Sequence, residues 1–148
     1  MIAVVQRVAR AEVRVEGAVT GRIGRGLLIL FCAEKNDSDA DLDWLSDKVL
    51  HMRVFTDSAG HMNHSAIETG AGLLVVSQFT LAADLSRGRR PGFERAAAPA
   101  EAERLYDGFV ERLRRTALPV ETGRFRALME VDLVNDGPVT LIVERRSR

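Results

Sequence analysis

Ser77, Gln78 and Thr80 close the apolar run Leu73-Leu74-Val75-Val76, with Phe79 and Leu81 interleaved. Four apolar residues, two of them β-branched, suit a strand buried on both faces. Polar groups at the end of such a strand stand on a rigid support, where a fold can present chemistry. Ser and Thr also finish many strands through ordinary turn bonding, so the cluster by itself fits that reading too. A second stretch, Asn135-Asp136-Gly137-Pro138-Val139-Thr140, carries a Gly-Pro pair. Proline lacks an N–H and fixes its own φ, and an X-Pro bond is where a cis peptide costs least. Gly-Pro leaves its carbonyls uncovered by side chains, so they can read the amine and shape of a small ligand or exclude one by clash. In isolation the dipeptide also reads as a connecting turn.

Other reactive side chains are sparse. His61 and His64 are three apart, with His51 upstream, but no cysteine or carboxylate cluster at ligand spacing completes a metal site, and no metal or cofactor is expected. The one cysteine, Cys32, lies in Leu27-Leu28-Ile29-Leu30-Phe31-Cys32-Ala33, which reads as a buried structural thiol and not a nucleophile. Between Leu85 and Arg95 the chain holds Arg87, Arg89, Arg90 and Arg95 with Gly, Pro and Phe93. Such a loop can meet phosphates or simply be solvated.

The elements that must position these residues follow from periodicity. Met1 to Val8 is expected as a strand, and Val13 and Val15 alternate with polar residues in another. Glycines at 17, 21, 24 and 26 mark turns around a short strand at Ala18-Val19-Thr20, and Leu27 to Ala33 is a central strand. Asp37 and Ser38 cap a helix whose stripe is Leu42, Leu45, Val49 and Met52, with Trp44 packing beside it. Arg53 to Thr56 is a short strand, followed by a turn at Asp57 to Gly60. Pro99 opens a second helix striped by Ala102, Leu105, Tyr106, Phe109, Val110 and Leu113. Two last strands, Leu128 to Val134 and Val139 to Val143, flank the Gly-Pro turn, and the charged tail from Glu144 is expected to fray. Leaving the short Ala18–Thr20 segment aside, the order is three strands, helix, two strands, helix, two strands. This is a mixed α/β fold, with two helices on a largely antiparallel sheet.

The totals agree with one domain over residues 1–148. Lys+Arg and Asp+Glu number 21 each, so any nucleic-acid contact must come from a local patch. The N-terminal apolar run is too short for a signal peptide and none approaches a membrane span, so a cytoplasmic protein is expected.

Taken together, the two polar stretches resemble the signatures of D-aminoacyl-tRNA deacylases. Ser77-Gln78-Phe79-Thr80-Leu81 matches SQxTL, and Asn135-x-Gly137-Pro138-x-Thr140 matches NxGPxT. The similarity runs through Gln6-Arg7-Val8, Val15-Glu16-Gly17, Arg53-Val54-Phe55 with Asp57, Met62-Asn63, Arg87-Gly88 with Arg90-Pro91, and Thr122-Gly123-Arg124-Phe125. Ser77 before Gln78, where proline would mark a relative that edits tRNA mischarged with alanine, points to the deacylase itself. His61 stands where Lys is common and Gly92 where Ser is, and an arginine-rich tail extends the end; none touches the motifs.

The resemblance implies a homodimer with a β-barrel-like core that hydrolyses the ester between a D-amino acid and the 3′ end of tRNA. It implies a cis Gly-Pro bond, with Gly137-Pro138 of one subunit reaching toward Ser77–Thr80 of the other, at the interface. Carbonyls placed where an L side chain would go would reject the L form, while glycine would pass. On this basis Ser77, Gln78, Phe79 and Thr80 are the expected catalytic residues, and Gly137, Pro138, Arg7, Phe125 and Met129 the expected substrate-binding ones. Arg7 would hold the Gly-Pro loop, and Phe125 and Met129 would line the terminal adenosine pocket, though both also suit the core. Two mechanisms stay open. Thr80 could be the nucleophile, but no His or carboxylate is built into its motif to serve as base. Alternatively, N–H groups around Phe79 and Thr80 form an oxyanion hole while the 2′-hydroxyl of the ribose assists water. The readings from other classes are a non-catalytic RNA-binding module using Arg87, Arg89, Arg90 and Arg95, and a small dimeric structural protein.

Overall fold

The computed structural model describes residues 1–146. Its spine is β1 (Ile2–Val15), a single strand where two were expected. Its charged residues have partners. Arg7 is buried and donates to the Val54 and Asp136 carbonyls, and Glu12 is buried and paired with Arg14 and Arg22. One edge of β1 pairs antiparallel with β3 (Gly26–Cys32) along Ile2–Val8 and with β2 (Ala18–Ile23) along Ala11–Val15.

Helix α1 (Asp39–His51) follows β3, opened by the Ser38 N–H donating to the Asp41 carboxylate at 2.8 Å. Next come a hairpin of β4 (Phe55–Thr56) and β5 (Met62–His64), and a four-residue helix, α2 (Ala66–Thr69). The β5 strand and α2 were not expected, being too short for a periodic signal. β6 (Gly72–Ser77) is the apolar strand, and it runs parallel to β3 on one side and to β7 (Val120–Thr122) on the other. Helix α3 (Pro99–Arg114) precedes β7, and β8 (Glu130–Glu144) finishes the described chain. The sheet is therefore mixed, antiparallel about β1 and parallel about β6. It is also nearly closed: a Cβ on Gly21 of β2 would lie 2.4 Å from the Thr122 carbonyl oxygen of β7.

Alternation divides the core. Leu27, Ile29 and Phe31 of β3 and Leu73 and Val75 of β6 face α1 and α3, burying the expected stripes of both helices. Leu28, Leu74 and Val76 face the other way, against Val131 and Leu133 of β8. Trp44 packs against the first cluster with the Lys48 and Arg145 cations over its ring. The tail is not frayed through Arg145: its side chain also donates to Asp41 at 2.9 Å and its N–H to the Met1 carbonyl at 3.0 Å. Ser147 and Arg148 lie outside the described residues. No helix among them is long and apolar enough to cross a membrane.

The largest departure concerns β8. A hairpin turn at Asn135–Pro138 would pair its flanking strands with each other; here both lie along β1. Asn135 sits opposite Val8 and Thr140 opposite Gln6, so Asp136 to Val139 bulge out across from Arg7 alone. The stretch read as a turn is an outward excursion of one 15-residue strand.

Candidate active site

The C-terminal end of β6 opens into a cleft of about 460 Å³. Ligand sites favour the carboxyl ends of parallel strands, where the chain turns away and leaves a crevice. Ser77, still paired with Phe31, lines it together with Gln78 and Phe79. The Gln78 N–H donates to the Phe31 carbonyl at 2.7 Å, and the chain then enters a short 3-10 turn, Phe79–Ala82. At such an N-terminus the first N–H groups have no partner within the turn. Among the described residues, the Phe79 and Thr80 N–H groups donate no hydrogen bond. The Gln78 side-chain amide donates to the Thr80 hydroxyl. Thr80 is exposed beside the cleft and not in its lining.

Phe125 and Met129, from the segment between β7 and β8, form the opposite wall. Phe125 also packs on Tyr106, ring centroids 5.8 Å apart, and the Tyr106 hydroxyl donates to the Val75 carbonyl at 2.9 Å. These side chains pack against the core and also line the cleft. Cys32 lines the cleft floor, 1% exposed, and burial, with Glu34 nearby, pushes its thiol up to about 11. That is the buried structural thiol its neighbours implied. Among the described residues no His, Asp or Glu lines this cleft. The histidines do not converge with carboxylates into a ligand cluster among the described residues.

Arg126 and Leu128 of the wall, and Phe93 packed against Phe79, were not anticipated. The Phe93 ring meets Phe79 edge-on at 5.0 Å, and Arg126 and Leu128 line the mouth, Leu128 94% exposed. Composition offers no signal for them, because their position depends on how two irregular segments fold over the strand end. All four arginines of the basic loop are exposed; Arg95 is ion-paired with Glu34 and Glu144, whereas Arg87, Arg89 and Arg90 hold no ion pair among the described residues.

The second motif builds a separate feature. Asn135 closes the base of the bulge: its amide donates to the Val139 carbonyl and the Thr140 hydroxyl, both at 3.2 Å, and its Oδ1 accepts the Val139 N–H at 3.0 Å. The Gly137-Pro138 peptide is cis, and both residues are exposed. Arg7, 7% exposed, donates from Nε to the Asp136 carbonyl at 3.0 Å and from Nη1 to the Val54 carbonyl at 2.7 Å. Gly137 has φ +139°, and a Cβ there would lie 2.9 Å from the Val139 nitrogen and 3.1 Å from Arg7 Nη2. Only glycine fits.

The two motifs do not meet within one chain. Ser77 is level with Phe31, Ala3 and Val143, whereas the bulge faces Arg7. Three strand spacings and four residues of rise separate them, ~20 Å along the sheet.

The profile of the family described as D-Tyr-tRNA(Tyr) deacylase matches residues 4–144. A D-aminoacyl-tRNA deacylase of Albidiferax ferrireducens is 58% identical over 146 residues, covering 95% of this chain and 92% of that one. A D-aminoacyl-tRNA deacylase of Dinoroseobacter shibae is 56% identical, covering 97% and 99%. Among solved structures, one titled "c-Myc DNA Unwinding Element Binding Protein" superposes with a TM-score of 0.94 at 39% identity, covering 99% of this chain and 100% of that one. With a match spanning nearly all of its length, the chain belongs to the D-Tyr-tRNA(Tyr) deacylase family.

Proposed function

We propose that this chain, a D-aminoacyl-tRNA deacylase by family, works in the cytoplasm as a homodimer that distinguishes D from L esters with Gly137-Pro138 of the partner copy. The reaction adds water across the ester joining a D-amino acid to the terminal ribose, releasing the amino acid and the tRNA. The observation that carries this reading is the ~20 Å between two surface features that each look complete. One is a cleft with free N–H donors; the other is an anchored, exposed bulge whose backbone is uncovered. A second chain supplies the missing half. Exposed Val134, Leu141 and Ile142 on β8 give it an apolar surface to bury.

In this arrangement the terminal adenosine lies between Phe125 and Met129, and the ester carbonyl points at the Phe79 and Thr80 N–H groups. Those donors stabilise the oxyanion as water attacks. The missing base favours the substrate-assisted route, because no carboxylate or imidazole lines the cleft to activate Thr80. Gln78 donates to the Thr80 hydroxyl, which occupies a lone pair without accepting its proton. The ribose 2′-hydroxyl takes the base's place in orienting water. Carbonyls of Gly137-Pro138 occupy the volume an L side chain would need. Glycine presents none, so glycyl-tRNA is cleaved as well.

The test is parallel incubation with D-tyrosyl-tRNA and L-tyrosyl-tRNA, following release of free tyrosine. Rapid cleavage of the D ester with the L ester spared is expected. Cleavage of both would keep the esterase and remove the chiral role of Gly137-Pro138. Cleavage of neither, by a folded dimer that binds tRNA, would favour a non-catalytic RNA-binding module.

A further inference from the structure

Most arginines of this chain are spoken for. Arg7, Arg10, Arg14, Arg22, Arg95, Arg104, Arg112, Arg115, Arg145 and Arg146 hold ion pairs, Arg25 lies over the Phe55 ring, and Arg53 bonds Asn63. Among the described residues six have no such partner: Arg87, Arg89, Arg90, Arg114, Arg124 and Arg126. Of the six, Arg126 lines the cleft, Arg124 lies two residues before it on the same segment, and Arg87, Arg89 and Arg90 lie on the loop after the Phe79–Ala82 turn.

The first three ride on a clamped tip. Asp84 and Gly92 exchange hydrogen bonds of 2.8 and 2.9 Å, closing the loop at its base, and the Asp84 carboxylate accepts the Ser86 N–H at 2.9 Å. Immediately beyond, Phe93 rests on Phe79 and Arg95 is tied to Glu34. The loop is therefore closed at its base and joined through Phe93 to Phe79, which lines the cleft, with its three cations in solvent. On the segment that forms the opposite wall Arg124 and Arg126 are exposed, and Arg126 lines the cleft at φ +62°. A chain with no net charge thus presents unpaired guanidiniums on the loop that leads to Phe93 and on the segment that lines the cleft.

We propose that Arg87, Arg89, Arg90 and Arg126 form a phosphate-docking rim that seats the acceptor end of tRNA over the cleft. The idea rests on the deacylase reading for the identity of the polyanion. Unpaired guanidiniums lose no existing partner on binding phosphate, and each contact formed releases counterions, which makes affinity salt-dependent.

The test titrates uncharged tRNA onto the full chain at about 50 to 200 mM salt. Arg87→Gln/Arg89→Gln/Arg90→Gln is expected to flatten the slope of log Kd against log salt by ~2 to 3, and to weaken low-salt binding at least ~10-fold. Arg126→Gly, which retains a backbone that glycine adopts freely, removes a further ~1 from the slope. Arg114→Gln, an unpartnered arginine at the end of α3, leaves the slope unchanged. An unaltered slope in the triple variant, or equal flattening by Arg114→Gln, overturns the rim. D-tyrosyl-tRNA cleavage by the unaltered chain is followed separately. Its absence alongside a rim-dependent slope would sink the deacylase reading and leave the docking surface standing.

Discussion

At the scale of single residues, groups that hold backbone are distinct from groups that open onto the cleft. Thr80→Ala removes a hydroxyl and leaves both N–H donors, so its single-turnover rate on D-tyrosyl-tRNA is expected to fall by less than ~10³-fold. A loss near ~10⁶-fold with tRNA binding intact would make Thr80 the nucleophile. Arg7→Ala would strip the Asp136 and Val54 carbonyls of a charged donor. Denaturant unfolding should show a cost of about 2–5 kcal/mol, and discrimination between D and L esters should narrow. Cys32 gives a pH signature. Its thiol stays protonated up to about 11 in the folded chain, against an ordinary value of 9.0. Between those values the unfolded chain binds fewer protons, so stability falls as pH rises through that window. Alkylation at pH 9 should therefore need unfolding; rapid labelling of the native chain would contradict the burial.

At the scale of elements, the cleft depends on a seam and a stack. Gly21→Ala would push β2 away from the Thr122 backbone, and a loss of about 1–3 kcal/mol is expected in thermal or denaturant melts. Phe109 of α3 stacks on Phe31 at 4.9 Å, and Phe31 lines the cleft. Phe109→Ala should cost about 3–5 kcal/mol. The long helices were legible because their stripes repeat over several turns. The strand ends were not. Arg7 interrupts the apolar run of β1, and its partners, the Val54 and Asp136 carbonyls, are distant in sequence. Val120–Thr122 is too short to show alternation, and Asn135–Pro138 carries turn residues used for a bulge.

For the whole molecule, the distance between motifs makes assembly the decisive question. If the bulge of one copy completes the cleft of the other, a chain carrying Gly137→Ala mixed with a chain carrying Gln78→Ala regains one intact site per heterodimer. Recovery of D-ester cleavage in the mixture, measured against each variant alone, is the expected outcome. No recovery from proven heterodimers would place both motifs in one chain's site. Ile142→Glu, on an exposed apolar stretch of β8, should shift sedimentation toward the monomer and reduce cleavage.

What the sequence determined by itself was the chemistry available and where along the chain it sits. Ser77 to Thr80, Gly137-Pro138, the helical stripes and the buried thiol depend on local pattern, and local pattern is written in order. Tertiary structure alone decided which groups face each other. It joined β1 into one strand, laid both halves of β8 along it and drew Arg95 into ion pairs while leaving its loop neighbours free. Each of those outcomes turns on contacts between residues far apart in sequence, whose energies no local window contains.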